Sequence, residues 1–328
     1  LIMIITRSPL RITLGGGGTD LPSYYKNKEG FTLSAAINKY VYISIHKTFQ
    51  KGFYLKYSHF EKRKTIDQIK HPLIKEALKE AKIKNNNLEI GSQADIPAGT
   101  GLGSSGSFTT ALLKGLFLIK NKNISNNYLA ELASKIEINN LGEPVGKQDQ
   151  YIAAYGGIKV FRFLRNGTVK ISKNIIKDNL IKILEKKLLL FFTGFSRKSA
   201  AILREQNDKT KSNSKEMIKN LDFIKELGIQ SLQSLQKGNF DEFCTIMNEH
   251  WLFKKERSKK MSNTYINSCY DYALKNGAQA GKIVGAGGGG FLMFYSDKKE
   301  KLQKALKKKK ISEINFKFDF EGTKIMVK

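Results

Sequence analysis

The segment that decides the fold is Pro97-Ala-Gly-Thr-Gly-Leu-Gly-Ser-Ser-Gly-Ser107. It follows a strand-like run at 88–93 and opens a helical run at 107–120. Its glycines let the backbone approach a ligand closely, because no Cβ stands in the way. Its serines lie at the helix start, where unpaired N–H groups and the helix dipole favour an anion. The segment predicts a phosphate-binding loop; the alternative is a flexible Gly/Ser loop that caps an ordinary helix.

Two familiar nucleotide-binding patterns fit this segment poorly. A P-loop needs Gly-Lys-Ser or Gly-Lys-Thr, and neither follows the glycines at the required spacing. Gly101, Gly103 and Gly106 fit the Gly-x-Gly-x-x-Gly spacing of dinucleotide-binding proteins, but that match is weak by itself. Other parts of the chain therefore have to identify the phosphate ligand.

The composition indicates a globular protein with room for two domains. The chain has 328 residues, and 41% of them are hydrophobic. Its net charge is +28, from 57 basic and 29 acidic residues, but the lysines are spread along the whole chain and only residues 304–310 form a dense basic run. This distribution favours the attraction of anionic small molecules over the binding of nucleic acid.

Cysteine content and hydropathy favour a cytoplasmic protein. Cys244 and Cys269 are too few for a disulfide framework and are typical of a reducing compartment. Apolar runs such as 188–192 are far too short to span a bilayer, and the sequence has no pattern typical of a signal peptide. We therefore expect no membrane partner.

A second glycine-rich motif lies near the N-terminus, at Ser8-Pro-Leu-Arg-Ile-Thr-Leu-Gly-Gly-Gly-Gly-Thr-Asp20. Arg11 and Thr13 alternate with apolar residues, so they share one face of an extended segment. The glycines at 15–18 permit a close approach of the backbone to a ligand and lead to Asp20. Asp20 is a candidate acceptor for sugar hydroxyls; the alternative is a helix N-cap.

The remaining patterns predict a mixture of short strands and helices, which is typical of an α+β protein. Strands are predicted at 31–36, 40–46, 53–57, 158–164, 169–172 and 188–192, and helices at 73–82, 200–212, 215–237, 240–257 and 263–276. Two strands within 282–295 are joined by a glycine turn, and a hairpin is predicted from 314–320 and 323–327 around Glu321-Gly322. The Lys-rich stretch 174–187 is the candidate junction between domains at 1–180 and 181–328.

Glu137 is a carboxylate that the pattern places beside a buried helical stripe. The stripe consists of Leu129, Leu132, Ala133 and Ile136, on a helix capped by Ser125. A carboxylate on a half-buried face needs a partner. That partner is a metal ion or a lysine, with Lys135 and Lys147 as candidates.

Three motifs in this order, Pro9–Asp20, Pro97–Ser107 and Gly285–Gly290, resemble those of the GHMP kinases, the superfamily of galactokinase, homoserine kinase, mevalonate kinase and phosphomevalonate kinase. Gly-Gly-Thr-Asp-Leu-Pro-Ser-Tyr-Tyr25 and Leu189-Leu-Phe-Phe-Thr-Gly-Phe-Ser-Arg197 are similar to the heptose 7-phosphate kinase branch. Fucokinase-like sugar-1-kinases are close relatives of that branch and remain an alternative. A catalytically dead sensor on the same fold is a further alternative, which the joint presence of Arg11, Ser105, Glu137 and Asp149 disfavours.

The resemblance implies a two-domain α+β fold, with an N-terminal ribosomal-protein-like domain, a C-terminal ferredoxin-like domain and the active site between them. It also implies that ATP binds with Mg²⁺, which the Ser105 hydroxyl and the Glu137 carboxylate would hold. The implied ATP-binding residues are Pro97, Gly99, Thr100, Gly101, Leu102, Gly103, Ser104, Ser105, Gly106 and Ser107.

The resemblance further implies that Asp149 is the catalytic carboxylate and that Arg11 stabilises it. Asp149 lies in Gly-Lys-Gln-Asp-Gln, and Gln148 stands where the related sugar-kinase pattern has Met. A sugar that already bears a phosphate needs a second cationic pocket, and the candidates are Ser196, Arg197 and Lys198 at a helix start. The other candidate substrate residues are Thr13, Gly16, Gly17, Gly18, Thr19, Asp20, Gly288 and Gly289.

The expected reaction is phosphorylation of the anomeric hydroxyl of D-glycero-D-manno-heptose 7-phosphate, which would supply nucleotide-activated heptose for surface polysaccharide. The expected partner is therefore a small phosphosugar rather than nucleic acid. A homodimer is also possible.

Overall fold

The computed structural model describes residues 3–84, 87–172, 175–195, 200–212 and 214–328. Within these residues the strands are β1 (Met3–Gly16), β2 (Gly30–Lys47), β3 (Gly52–Lys56), β4 (Phe60–Arg63), β5 (Asn87–Ala94), β6 (Ile158–Phe163), β7 (Val169–Ser172), β8 (Leu188–Phe192), β9 (Ala280–Ile283), β10 (Phe291–Tyr295), β11 (Ser312–Ile314) and β12 (Lys324–Val327). The helices are α1 (Pro22–Tyr25), α2 (Pro72–Glu80), α3 (Ser104–Ile119), α4 (Asn126–Lys135), α5 (Gln148–Tyr155), α6 (Asp178–Lys187), α7 (Ala200–Lys211), α8 (Lys215–Lys237), α9 (Phe240–Glu256), α10 (Thr264–Lys275) and α11 (Lys299–Lys308).

The larger sheet is organised around β2, an 18-residue strand that unites the two runs predicted at 31–36 and 40–46. β1 pairs antiparallel with one edge of β2. The other edge is shared, because residues 30–35 pair with β6 and residues 41–47 pair with β5. The sheet continues from β5 to its parallel neighbour β3 and then to β4, while β7 extends it beyond β6.

The C-terminal end of the chain returns to this larger sheet. The hairpin predicted from 314–320 and 323–327 is wrong, because β12 pairs antiparallel with β1 whereas β11 joins a different sheet. The N–H groups of Glu321 and Gly322 donate to Asp319 Oδ1 at 3.1 and 2.8 Å, so this segment turns the chain between the two sheets. Apolar alternation predicts a strand but does not choose its partner. The domain boundary between residues 180 and 181 stays a prediction. The last strand of the chain, β12, belongs to the larger sheet, so a segment of the predicted C-terminal domain contributes to that sheet.

The second sheet is antiparallel, with the order β11-β8-β10-β9. It confirms the strand at 188–192 and the two strands joined by the glycine turn. Its buried side chains, such as Leu189 and Phe294, form an apolar cluster with Trp251 of α9, Ile266 of α10 and Leu302 of α11. Within the described ranges, none of the helices is both long and apolar enough to cross a bilayer.

Two sets of helices position the site between the sheets. α3 packs across β1 and β2 and contacts α4 and α5. The N-termini of α3 and α5 meet beside β1, because Gly103 and Gly106 lie against Asp149. α8 packs on β1 and β2, and α9 packs on α8 and β9.

Ser125 caps α4 as predicted, since its Oγ accepts the N–H of Tyr128 at 3.2 Å. A one-turn π-helical segment, Ile136–Asn140, then carries Glu137.

Candidate active site

A cavity of about 340 Å³ lies where β1, the starts of α3 and α5, α9 and the β9–β10 turn converge. Residues from both glycine motifs and from the C-terminal half of the chain line it. The polar and charged side chains in its wall include Arg11, Thr13, Asp20, Ser104, Ser105, Gln148, Asp149, Gln206, His250, Lys254, Arg257 and Lys282.

Arg11 and Asp149 form a two-pronged ion pair in this wall. Nε and Nη2 of Arg11 donate to Oδ1 and Oδ2 of Asp149 at 2.8 and 3.0 Å, and Nη1 donates to the carbonyl of Gly101. The Arg11 side chain is 7% exposed and that of Asp149 is 26% exposed, so the carboxylate still reaches the cavity. A bidentate arginine fixes both position and orientation of a carboxylate. Asp149 is therefore suited to accept a proton from a hydroxyl in the cavity.

Gly103 allows the phosphate-loop segment to approach this ion pair. It has φ of +80° as the N-cap of α3, a conformation that favours glycine. A Cβ at this position would lie 3.1 Å from Arg11 Cγ and 3.3 Å from Asp149 Oδ2. The α3 N-terminus, with its unpaired N–H groups, consequently faces the same space as Asp149.

Gln148 ties Asp149 to the larger sheet. Its Oε1 accepts the hydroxyls of Thr13 and Ser34 at 3.1 and 3.0 Å, and its Nε2 donates to Asp149 Oδ1 at 3.3 Å. The glutamine thus makes three polar contacts that a methionine cannot make at this position. Thr13, predicted to contact substrate, lines the cavity, but its hydroxyl donates its hydrogen to Gln148.

Glu137 meets Ser105 beneath the α3 N-terminus. Ser105 Oγ donates to Glu137 Oε2 at 2.7 Å, and Gln150 Nε2 donates to Oε1 at 2.8 Å. The prediction of a lysine partner is wrong for both candidates, because Lys147 pairs with Glu131 and Lys135 pairs with Glu80.

The Glu137 carboxylate is 2% exposed, and burial raises its pKa to about 7, with the nearby Asp149 adding to the shift. Within the described residues it has hydrogen-bond donors but no cation as a partner. A buried carboxylate beside a serine hydroxyl is a suitable oxygen donor set for Mg²⁺. The two residues therefore fit the metal-binding role that the sequence predicted for them.

The phosphate-loop segment faces the cavity through only part of its length. Gly99, Gly101, Gly103, Ser104 and Ser105 line the cavity. The other predicted ATP-binding residues, Pro97, Thr100, Leu102, Gly106 and Ser107, are outside its wall. Ser107 Oγ donates to the Pro9 carbonyl at 2.7 Å, and Thr100 Oγ1 donates to the Pro97 carbonyl at 3.0 Å, so both hydroxyls hold the loop rather than point into the cavity.

The N-terminal glycine motif contributes Gly16, Gly17, Gly18 and Asp20 to the cavity wall. Thr19 is fully buried and instead exchanges hydrogen bonds of 3.0 Å with the backbone of Phe31. Asp20 Oδ1 accepts the Gly18 N–H at 3.0 Å, and Oδ2 accepts the Gln148 N–H at 3.2 Å. Asp20 thus caps the N-terminus of α5, which is distant in sequence. Burial raises the pKa of Asp20, and the negative charge of Asp149 adds to this shift.

The glycine turn between β9 and β10 presents Gly285 and Ala286 to the cavity rather than Gly288 and Gly289. Gly288 and Gly289 are buried. The Gly288 N–H donates to the carbonyl of Met261, a residue of the cavity wall, at 2.8 Å, so Gly288 packs behind that wall. Ser196, Arg197 and Lys198 lie outside the described residues.

Besides His71, four basic residues of the cavity wall were not predicted: His250, Lys254, Arg257 and Lys282. The first three lie at i, i+4 and i+7 from His250, which is the spacing of one helical face at the end of α9. That signal was present in the sequence, but it could not be separated from solvent-exposed basic residues in a chain with 57 lysines and arginines.

Comparisons with known proteins agree on one family. The model of the GHMP kinase N-terminal domain matches residues 72–157, and that of the C-terminal domain matches residues 231–312. The chain is 30% identical to D-glycero-alpha-D-manno-heptose 7-phosphate kinase of Campylobacter jejuni over 98% of each protein. It is 28% identical to the bifunctional fucokinase/GDP-fucose pyrophosphorylase of Arabidopsis thaliana over 89% of this chain and 30% of that protein.

The fold agrees with the sequence relationship. The crystal structure of a D-glycero-D-manno-heptose 1-phosphate kinase from Bacteroides thetaiotaomicron aligns with a TM-score of 0.81, covers 98% of both chains and is 27% identical. The two-domain α+β prediction is confirmed. The chain belongs to the GHMP kinases, and it is an ATP-dependent small-molecule kinase.

Proposed function

We propose that this protein phosphorylates the anomeric hydroxyl of D-glycero-D-manno-heptose 7-phosphate, with ATP as donor, to form the 1,7-bisphosphate. The observation that carries the proposal is the Arg11–Asp149 pair, which lies in one cavity with the α3 N-terminus and Ser105. The acceptor is supported by the 30% identity to the Campylobacter jejuni heptose 7-phosphate kinase. The product would supply nucleotide-activated heptose for surface polysaccharide from a cytoplasmic location.

In this proposal Asp149 accepts the proton of the anomeric hydroxyl while the oxygen of that hydroxyl bonds to the phosphorus of the transferred group. Arg11 keeps the carboxylate in place through both of its oxygens, and Gln148 adds a contact from the side of the sheet. An anomeric hydroxyl is more acidic than an ordinary alcohol, so a carboxylate is an adequate base. Such a reaction depends mainly on alignment and charge neutralisation, which this rigid arrangement favours.

ATP and Mg²⁺ would bind at the start of α3. Backbone N–H groups near Gly101, Gly103 and Ser104 would bind the phosphates, while Ser105 and Glu137 would hold the metal. When bound, ATP would supply the phosphoryl group, and Mg²⁺ would supply the positive charge that stabilises its transfer. The role of the chain is to position that group opposite Asp149.

A fucokinase-like activity on an unphosphorylated sugar is the second candidate. It is favoured by the 28% identity to the fucokinase-containing protein of Arabidopsis thaliana. The same Asp149 chemistry would serve either acceptor, so the catalytic pair does not distinguish them. The distinction depends on whether the cavity binds a second phosphate.

The test is to measure ADP release by the purified protein with heptose 7-phosphate, free D-glycero-D-manno-heptose and L-fucose. We expect the highest kcat/KM with heptose 7-phosphate, and a ³¹P NMR signal from a new anomeric phosphate. Higher kcat/KM with L-fucose would support the second candidate, and phosphorylation at another hydroxyl would refute both.

A further inference from the structure

We propose that Lys254, Arg257 and Lys282 bind the phosphate group that the acceptor sugar already bears. This inference rests on the proposed function, because it takes the acceptor to be a phosphosugar. The expected phosphate site is thereby moved from the helix start at Ser196–Lys198 to residues of the C-terminal end of α9, its C-cap Arg257, and β9. We call these three residues the cation cluster.

The cation cluster is buried, and its described hydrogen bonds go to neutral acceptors. Lys254 Nζ donates to the carbonyls of Ile283 and Gly285 at 3.2 and 2.5 Å, and Lys282 Nζ donates to the Leu14 carbonyl at 2.9 Å. Arg257 donates to Asn220 Oδ1 at 2.9 Å and, at 3.3 Å, to the Gly17 carbonyl. The three residues are 7%, 6% and 2% exposed, respectively.

Within the described part of the chain, none of the three forms a salt bridge. Burial of unpaired cations is unfavourable, and the pKa values reflect this. Burial lowers the pKa of Arg257 to about 10 and that of Lys282 to about 7, and it lowers the pKa of Lys254 well below its usual value. A cavity wall with three such groups is complementary to a dianion.

His250 gives an independent indication that the cluster faces a polar ligand. It lines the cavity and is 3% exposed. Its Nε2 lies 2.9 Å from the Gly16 carbonyl, which fixes Nε2 as the donor and leaves Nδ1 of the neutral ring as an acceptor. Nδ1 is buried and has no hydrogen-bond partner in the described structure. A sugar hydroxyl beside the phosphate would satisfy it.

The cation cluster comes from other elements than the expected ATP site, although Gly285, to which Lys254 donates, packs against Gly101 of the predicted phosphate loop. The ATP phosphates are expected to bind at the α3 N-terminus. The cation cluster instead comes from the C-terminal end of α9, its C-cap and β9, and it donates hydrogen bonds to the first glycine motif, to β9 and to the β9–β10 turn. Arg11 is engaged by Asp149 and the Gly101 carbonyl, so it is not available as a fourth member. The acceptor sugar would then lie with its anomeric end at Asp149 and its phosphate at the cluster.

The test is calorimetric binding of heptose 7-phosphate and of free heptose, without ATP, to the wild type, Arg257→Gln and Lys254→Met. The ratio of affinities for heptose 7-phosphate over free heptose should fall at least tenfold in both variants. Lys259→Gln, at an exposed lysine near the end of the same helix, is the matched control and should keep the wild-type ratio. Circular dichroism checks that each variant folds, and either variant alone suffices for the test.

An unchanged ratio in a folded variant would overturn the inference. An equal loss of affinity for a magnesium complex of a non-hydrolysable ATP analogue would also overturn it, because the cations would then serve the nucleotide. The two proposals fail separately. A wild-type protein that binds heptose 7-phosphate through the cluster but does not phosphorylate it would refute only the proposed reaction.

Discussion

Replacement of Lys282 by methionine should stabilise the ligand-free protein and weaken its binding of a phosphosugar. Methionine has a similar length but carries no charge, so it removes the buried cation without opening a large cavity. The wild-type lysine is 2% exposed and donates a single described hydrogen bond, to the Leu14 carbonyl at 2.9 Å. The substitution therefore exchanges one hydrogen bond for relief from burial of a charge.

The magnitude follows from the pKa of Lys282, which burial lowers from 10.5 to about 7. The difference, 10.5 − 7, is roughly 3.5 units and corresponds to about 5 kcal/mol when the folded protein keeps the proton. At pH 7, where about half of the folded molecules have lost it, the penalty is about 4 kcal/mol. The unpaired Leu14 carbonyl would cost about 1–3 kcal/mol, which leaves a net stabilisation of about 1–3 kcal/mol.

The sign of the pH dependence follows from the same shift. Because the folded pKa lies below the unfolded one, the lysine penalty is complete below pH 7 and disappears as the pH rises towards 10.5. The wild type should gain stability over this window through Lys282, and the variant should not. The advantage of the variant should therefore shrink by about 2 kcal/mol between pH 7 and pH 9.

Urea denaturation of both proteins at pH 7 and pH 9 measures these differences. The other charged or titratable groups that line the cavity are Arg11, Asp20, His71, Asp149, His250, Lys254 and Arg257. They are present in both proteins, but the Lys282 charge also lowers the pKa of Lys254 and of His250, so its removal relieves the burial of the Lys254 charge as well and acts in the same direction. Lys51→Met, at an exposed lysine, is the control and should change stability by less than about 0.5 kcal/mol at either pH. A variant that is less stable than the wild type at pH 7, or whose advantage does not shrink by pH 9, would refute the reasoning.

Three further substitutions test the catalytic side of the cavity. Asp149→Asn should lower kcat by about 10²–10⁴ while the affinity for the nucleotide stays within about threefold, because the base is lost but the α3 N-terminus is intact; retained turnover, measured by ADP release, would contradict its role. Glu137→Gln keeps both hydrogen-bond neighbours but removes the charge, so the Mg²⁺ concentration for half-maximal activity should rise at least about tenfold; an unchanged Mg²⁺ titration would exclude it as a ligand. Gly103→Ala requires a strained positive φ and pushes a methyl group against Arg11 and Asp149, so thermal unfolding should show a loss of about 1–2 kcal/mol together with a lower kcat; wild-type values of both would show that the loop relaxes freely.

The sequence alone determined the family of the protein, and it predicted the Arg11–Asp149 pair around which the candidate site is built. The glycine motifs impose local backbone conformations that few other residues adopt, so they predict a phosphate-binding loop without knowledge of the rest of the fold. The motif around Asp149 and the strand carrying Arg11 are similarly local, and the structure brings both side chains into contact as the resemblance implied. Most strands and helices follow from apolar periodicity in the same way.

Only the tertiary structure decided how distant segments meet. Apolar alternation predicted the strand β12 but not the strand with which it pairs. The predicted hairpin is wrong because β12 pairs with the free edge of β1 instead. Burial of Glu137 depended on Ser105 and Gln150, not on the lysines nearest in sequence, because helix packing rather than sequence distance chooses hydrogen-bond partners. Lys254, Arg257 and Lys282 became recognisable among the many basic residues only when packing of α9 on β9 buried their charges in the cavity beside Asp149.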